Sequence, residues 1–159
     1  MLQGLDLSVL NEVYIDRLRT SPGAELLINF LTNQSIKTAL VSGGFTYFTD
    51  RLAKDIGIDF SRANILEVEN GRLSGKTFGQ VINSIEKANF VKELCQDLNL
   101  NLSQTLTIGD GANDLDMMNL SGFSVAYHAK PIVIERANAC ICFGGLDKIV
   151  DFFKNKPLS

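Results

Sequence analysis

Residues 105–120 run TLTIGDGANDLDMMNL: a strand-like apolar run, 105–108, halts at Gly109-Asp110-Gly111 and gives way to a short helix expected over 114–120. The same alternation continues on both sides. Downstream, 123–126 reads as a strand, 131–137 as a helix opened by Pro131, 139–142 as a strand and 146–154 as a helix. Upstream, a long helix is expected over 80–99, a short buried strand over 37–41, and a helix over 45–56 that ends at Gly57. Two further helices are expected over 6–19 and 22–33, the second opened by Ser21-Pro22. Only 63–78 departs from the pattern, with two strand-like runs around Asn70-Gly71 that spell a β-hairpin. Strands separated by helices of this length predict an α/β fold with a parallel sheet flanked by helices on both faces. A chain of 159 residues is expected to form a single domain, 1–159, with about 70% of its unfolded surface buried.

Parallel sheets of this kind bind ligands at the carboxyl ends of their strands, which singles out 42–44 and 109–114. Ser42-Gly43-Gly44 reads as the turn between a strand and the helix after it. A glycine pair lets backbone N–H groups approach an anion closely, the helix N-terminus adds a favourable field, and the serine hydroxyl supplies another donor. The same three residues also make an ordinary strand-to-helix turn. Asp110 lies where a strand ends and Asp114 falls in the first turn behind it, with Asn113 between them. Two carboxylates at one strand end suit a hard divalent cation such as Mg2+, which takes one or two carboxylates together with water and phosphate oxygens. An Asp-Gly turn ahead of a helix with an acidic first turn fits the same letters, so both readings stay open. Lys87, on the 80–99 helix, reads locally as a solvated surface lysine.

Other chemistries are excluded or weakened. Hydrophobic residues at 45% and charged residues at 21% exclude a disordered chain, and no apolar stretch approaches the ~20 residues of a membrane-spanning helix. With a net charge of −3 and no Lys/Arg cluster, neither nucleic acid nor a membrane surface is an expected partner. The N-terminal residues lack the basic region and apolar run of a secretion signal, so the expected compartment is the cytoplasm. A single histidine, His128, rules out a His-based metal site and reads as a polar turn residue after an apolar strand. Cys140 and Cys142 share one strand face and are expected in the core, and with Cys95 they make an odd count without zinc-like spacing. GRLSGKT (71–77) is spaced wrongly for a P-loop, and GDG (109–111) lacks the last glycine of a dinucleotide fingerprint.

Taken together, VSGGFTYF (41–48), GDGANDLDM (109–117) and AYHAKP (126–131) resemble the haloacid dehalogenase superfamily of phosphotransferases, and within it the phosphoserine phosphatase branch. ANILEVENGRLSG (63–75) matches the hairpin of that branch, and Lys87 in EKANFVKEL matches its third-motif lysine. The resemblance covers essentially the whole chain in the right order. It implies a Rossmann-like core and a Mg2+-dependent hydrolysis of a small phosphomonoester, O-phosphoserine, through an aspartyl-phosphate. By resemblance Asp110 binds Mg2+, while Asp114 orients a metal-bound water or the lysine. Ser42 and the Gly43 N–H hold phosphoryl oxygens, Lys87 balances the charge of nucleophile and phosphate, and Asn113 hydrogen-bonds substrate.

One part of the family pattern is absent. The Asp-x-Asp-x-Thr (or Ser) motif that supplies the nucleophile and the general acid/base has no counterpart, and the only Asp-x-Asp, Asp114-Leu115-Asp116, lies inside the fourth motif. Residues 1–20 resemble the end of the helical cap, which implies that the first strand and most of the cap are missing. The expectation is the C-terminal part of such a phosphatase, inactive alone, with a complementing N-terminal chain or self-association as open options. The alternative is a non-catalytic phosphate/Mg2+-binding fragment, or half of a split enzyme that needs an N-terminal partner.

Overall fold

A computed structural model of the chain describes residues 3–155. They form two compact units, one made of residues up to Ser21 together with Ile28–Val81, the other of Pro22–Leu27 together with the chain from Ile82 onward.

The first unit contains helix α1 (Ser8–Arg17), most of α2 (Ala24–Asn33), strand β1 (Ala39–Phe45), helix α3 (Thr46–Ile56), and strands β2 (Phe60–Glu69) and β3 (Arg72–Phe78). Its three strands form one sheet in the order β1-β2-β3, with β1 parallel to β2 and β3 antiparallel to it. The expected hairpin is present. Asn70 (φ 51°) and Gly71 (φ 77°) both take the left-handed backbone that a two-residue hairpin turn requires. Asp59 ties the approach to β1 to the approach to β2. Its carboxylate accepts from the Lys37 ammonium at 2.6 Å and from both the amide and the hydroxyl of Thr38 at 2.9 Å. The core of this unit is thin, drawing on Leu10, Ala53, Ala63 and Leu73. The apolar stripe expected on α1 buries only Leu10, while Ile15 is 56% exposed. Polar contacts hold the helix instead. Arg51 of α3 lies 4.0 Å from the centre of the Tyr14 ring and donates to Asn11 at 2.7 Å, and the Tyr14 hydroxyl donates to Asp55.

The second unit follows the expected β-α order: α4 (Ser84–Asp97), β4 (Leu106–Gly109), α5 (Leu115–Leu120), β5 (Phe123–Tyr127), α6 (Pro131–Ile134), β6 (Ala139–Ile141) and α7 (Asp147–Asn155). The sheet is parallel throughout, ordered β4-β5-β6. The core is denser here, with Phe90, Met117, Met118, Val125, Ala126, Val133, Ile149 and Val150 all buried. Phe152 of α7 stacks on Phe123 of β5 with ring centres 5.3 Å apart.

Four local readings are corrected. The strand expected to stop at Val41 continues to Phe45, so Ser42-Gly43-Gly44 lies within β1 as an irregularity in its pairing, not after it. The helix expected from residue 80 starts at Ser84, because the Asn83 side chain accepts the Glu86 amide and caps it there. Cys140 and Cys142 are exposed, since β6 is an edge strand of only three residues. Lys87 is buried, for the reason given below. Among the described residues no helix is long and apolar enough to cross a membrane.

Candidate active site

In the second unit the site grows from the end of β4. Gly109 closes the strand, Asp110 follows with its side chain exposed, and a single tight turn over Ala112–Asp114 brings Asp114 back beneath the strand end. A Cβ on Gly109 would lie 2.5 Å from the Asp114 Cβ and 2.9 Å from the Met118 Sδ, so the bare backbone at 109 is what lets Asp114 fold under it. Asp114 is only 4% exposed, and its carboxylate is fully engaged. Oδ1 accepts from the Lys87 Nζ at 2.7 Å, and Oδ2 accepts from the amides of Asp110 at 3.1 Å and Gly111 at 3.2 Å. Lys87 reaches this point from α4 and is itself 6% exposed.

A buried charge persists only when it is paired and hydrogen-bonded. Burial by itself would raise the Asp114 pKa. The Lys87 hydrogen bond, the Gly111 amide, the Lys87 charge and the Asp110 amide together outweigh burial and hold it below its ordinary value of 3.8. Asp114 is therefore an anion that ties together the lysine and the backbone carrying Asp110. A further tie comes from the start of α6, where the Lys130 amide donates to the Asp110 carbonyl at 3.1 Å. Asn113 sits exposed in the same turn.

The first unit supplies a different device. Along β1 and β2 the pairing steps from Val41↔Arg62 to Phe45↔Asn64, so four residues of β1 are matched to two of β2 and Ser42–Gly44 bulge from the ladder. Two hydrogen bonds shape the bulge. The Gly44 amide donates to the Ser42 Oγ at 2.9 Å, and the Asn64 Nδ2 donates to the Gly43 carbonyl at 2.7 Å. Because Ser42 Oγ is an acceptor toward its own loop, its O–H proton remains to be donated elsewhere. Ser42 and Gly43 thus belong to the first unit, while Lys87, Asp110, Asn113 and Asp114 come together in the second.

Asn64 was missed in the sequence. It is buried, 6% exposed, and sits between Ala63 and Ile65 in a strand, a position asparagine rarely takes without a partner. That mismatch was the available signal. What it could not indicate was the partner, 21 residues away.

The donor set fits a hard cation through Asp110. Its carboxylate is exposed at the strand end, whereas that of Asp114 is occupied by the lysine and two amides. Among the described residues no group of three or more His, Cys, Asp or Glu side chains gathers into a metal site. A cation held here would rest on one carboxylate plus water and phosphate oxygens, a shell that Mg2+ accepts.

Comparison with known proteins bears on the family and the fold. Residues 45–142 match the family model of haloacid dehalogenase-like hydrolases. A phosphoserine phosphatase from a Polaromonas species is 43% identical over 158 residues, spanning 97% of this chain and 67% of that enzyme. The crystal structure of a probable phosphoserine phosphatase from Vibrio cholerae superposes with a TM-score of 0.93 at 35% identity, covering 99% of this chain and 50% of that one. A phosphoserine phosphatase solved as a phospho-aspartyl intermediate analogue superposes with a TM-score of 0.88 at 32% identity, covering 95% of this chain and 72% of that one.

Proposed function

The chain belongs to the haloacid dehalogenase-like hydrolases, in their phosphoserine phosphatase branch, and on that premise we propose that it provides the phosphate cradle and charge anchor for hydrolysis of O-phosphoserine to serine and phosphate. The observation that carries this reading is the buried Lys87–Asp114 pair seated behind an exposed Asp110. A lysine desolvated to this degree is an expensive way to decorate a surface. It makes sense where negative charge accumulates, as it does when a carboxylate meets a phosphate dianion.

The chain's own residues take the following parts in this proposal. Ser42 donates its O–H, and Gly43 its N–H, to phosphoryl oxygens. Lys87 offsets the charge of nucleophile and phosphate. Asp114 acts through others, fixing the lysine with one oxygen and the Asp110–Gly111 backbone with the other, so it is a positioning residue. Asn113 hydrogen-bonds the substrate. Asp110 holds Mg2+, which when bound supplies charge neutralisation between the attacking carboxylate and the phosphate. The attacking carboxylate itself is not among these 159 residues, since they contain no Asp-x-Asp-x-Thr. In this reading it comes from a further segment or a complementing chain. The second reading, a phosphate/Mg2+-binding module without catalysis, draws on the same missing motif.

The test uses the purified 159 residues. Titration with inorganic phosphate, followed by calorimetry, is expected to give binding that requires Mg2+ and is lost in Asp110→Asn. Release of phosphate from O-phosphoserine is expected at background. No Mg2+-dependent binding would overturn the site assignment. Turnover abolished by Asp110→Ala would overturn the assignment of the nucleophile to another segment. Adding a polypeptide that carries Asp-x-Asp-x-Thr separates the two readings, because only a split hydrolase gains turnover from it.

A further inference from the structure

The edge strand β6 carries two thiols that the hydrolytic reading does not use. Cys140 lies in the strand and Cys142 just beyond its end, both exposed, with their sulfurs 3.6 Å apart and the Cys142 thiol donating to the Cys140 Sγ. Residues two apart on a strand share a face, which places both sulfurs on the same side. The residue between them is pinned: Ile141 pairs with Tyr127 of β5, and its carbonyl accepts the His128 amide at 2.9 Å. The remaining cysteine is different in kind. Cys95 is buried, 6% exposed, in the core and away from solvent oxidants.

We propose that Cys140 and Cys142 form a dithiol redox site that peroxide closes into an intrachain disulfide across Ile141. In the first step a peroxide oxygen passes to the Cys140 sulfur, the O–O bond breaks and one water leaves, giving a sulfenic acid. In the second the Cys142 sulfur attacks the Cys140 sulfur, the S–O bond breaks, and the oxygen leaves as a second water with the remaining thiol proton. Two thiols and one peroxide thereby give one disulfide and two waters. The chain allows this closure. Two residues of extended backbone span at most about 7 Å, close to the upper Cα separation of about 6.8 Å that a disulfide tolerates. Cys142 lies outside the ladder, so the backbone there has room to tighten.

The experiment treats the reduced protein with hydrogen peroxide and then, under denaturing conditions, alkylates the remaining thiols for mass spectrometry and peptide mapping. The expected product has lost two hydrogens, takes up one alkyl group at Cys95 instead of three in all, and returns to three after reduction. Neither Cys140→Ser nor Cys142→Ser yields that product; each accumulates oxygen adducts on its remaining exposed thiol. Independent oxygen adducts on Cys140 and Cys142 in the unsubstituted protein would overturn the proposal. So would a link between chains, or one that involves Cys95.

Discussion

The Ser42–Gly44 bulge and the Gly109–Asp114 loop both follow a run of parallel pairing and precede a helix, but they are built by opposite means. The bulge carries no charge. Its shape comes from a serine hydroxyl and a distant asparagine holding backbone groups, in a unit whose core is thin. The loop is built on a buried ion pair whose carboxylate also fastens two amides, beside a dense core of Phe90, Met117 and Met118. On the proposed function the difference separates two jobs: neutral donors offered to an incoming anion are held lightly, whereas the lysine is held by a countercharge away from water.

The contrast is broken most severely at Lys87. Lys87→Met leaves the Asp114 carboxylate buried without its cation, and unfolding in urea is expected to show a loss of about 3–5 kcal/mol. Replacing both partners, Lys87→Met with Asp114→Leu, should recover part of that loss, because no uncompensated charge then remains. In the neutral loop the corresponding change, Asn64→Ala, removes the donor to the Gly43 carbonyl. The expected cost is about 1–3 kcal/mol in the same assay, with weakened phosphate binding in whatever fraction stays folded.

Acid sharpens the comparison further. Asp114 has its pKa lowered by folding, so its contribution to stability is complete above the unfolded value near 3.8 and is lost as pH falls through the folded value. A urea midpoint measured from neutral pH downward should therefore decline below about pH 4, and Asp114→Asn should flatten part of that decline. The smallest effect on folding belongs to Asp110→Asn. That side chain is exposed, and stability should change by no more than about 0.5 kcal/mol while Mg2+-dependent phosphate binding disappears.

Legibility in the sequence followed how far apart the interacting residues lie along the chain. The β-α alternation, the Asn70-Gly71 turn and the placing of Asp110 and Asp114 at a strand end are local patterns, and each could be read from neighbouring letters. Lys87 could not. Its burial depends on a carboxylate 27 residues away, and a lysine on a helix carries no mark of that partner. The bulge failed for the same reason, since Ser42-Gly43-Gly44 reads as a turn until Phe45 is seen to resume pairing at Asn64. The exposure of Cys140 and Cys142 is not legible either, because an apolar-looking strand does not announce whether it lies at the edge or the middle of a sheet. Resemblance to a family filled the first of these gaps, as it carries long-range information that periodicity lacks.

Gly109 bears on how this molecule can change over generations. A methyl group there would fall within 2.5 Å of the Asp114 side chain, so the smallest possible enlargement evicts the aspartate and strands the lysine behind it. Remodelling the end of this strand therefore means giving up the ionic anchor and rebuilding the turn together.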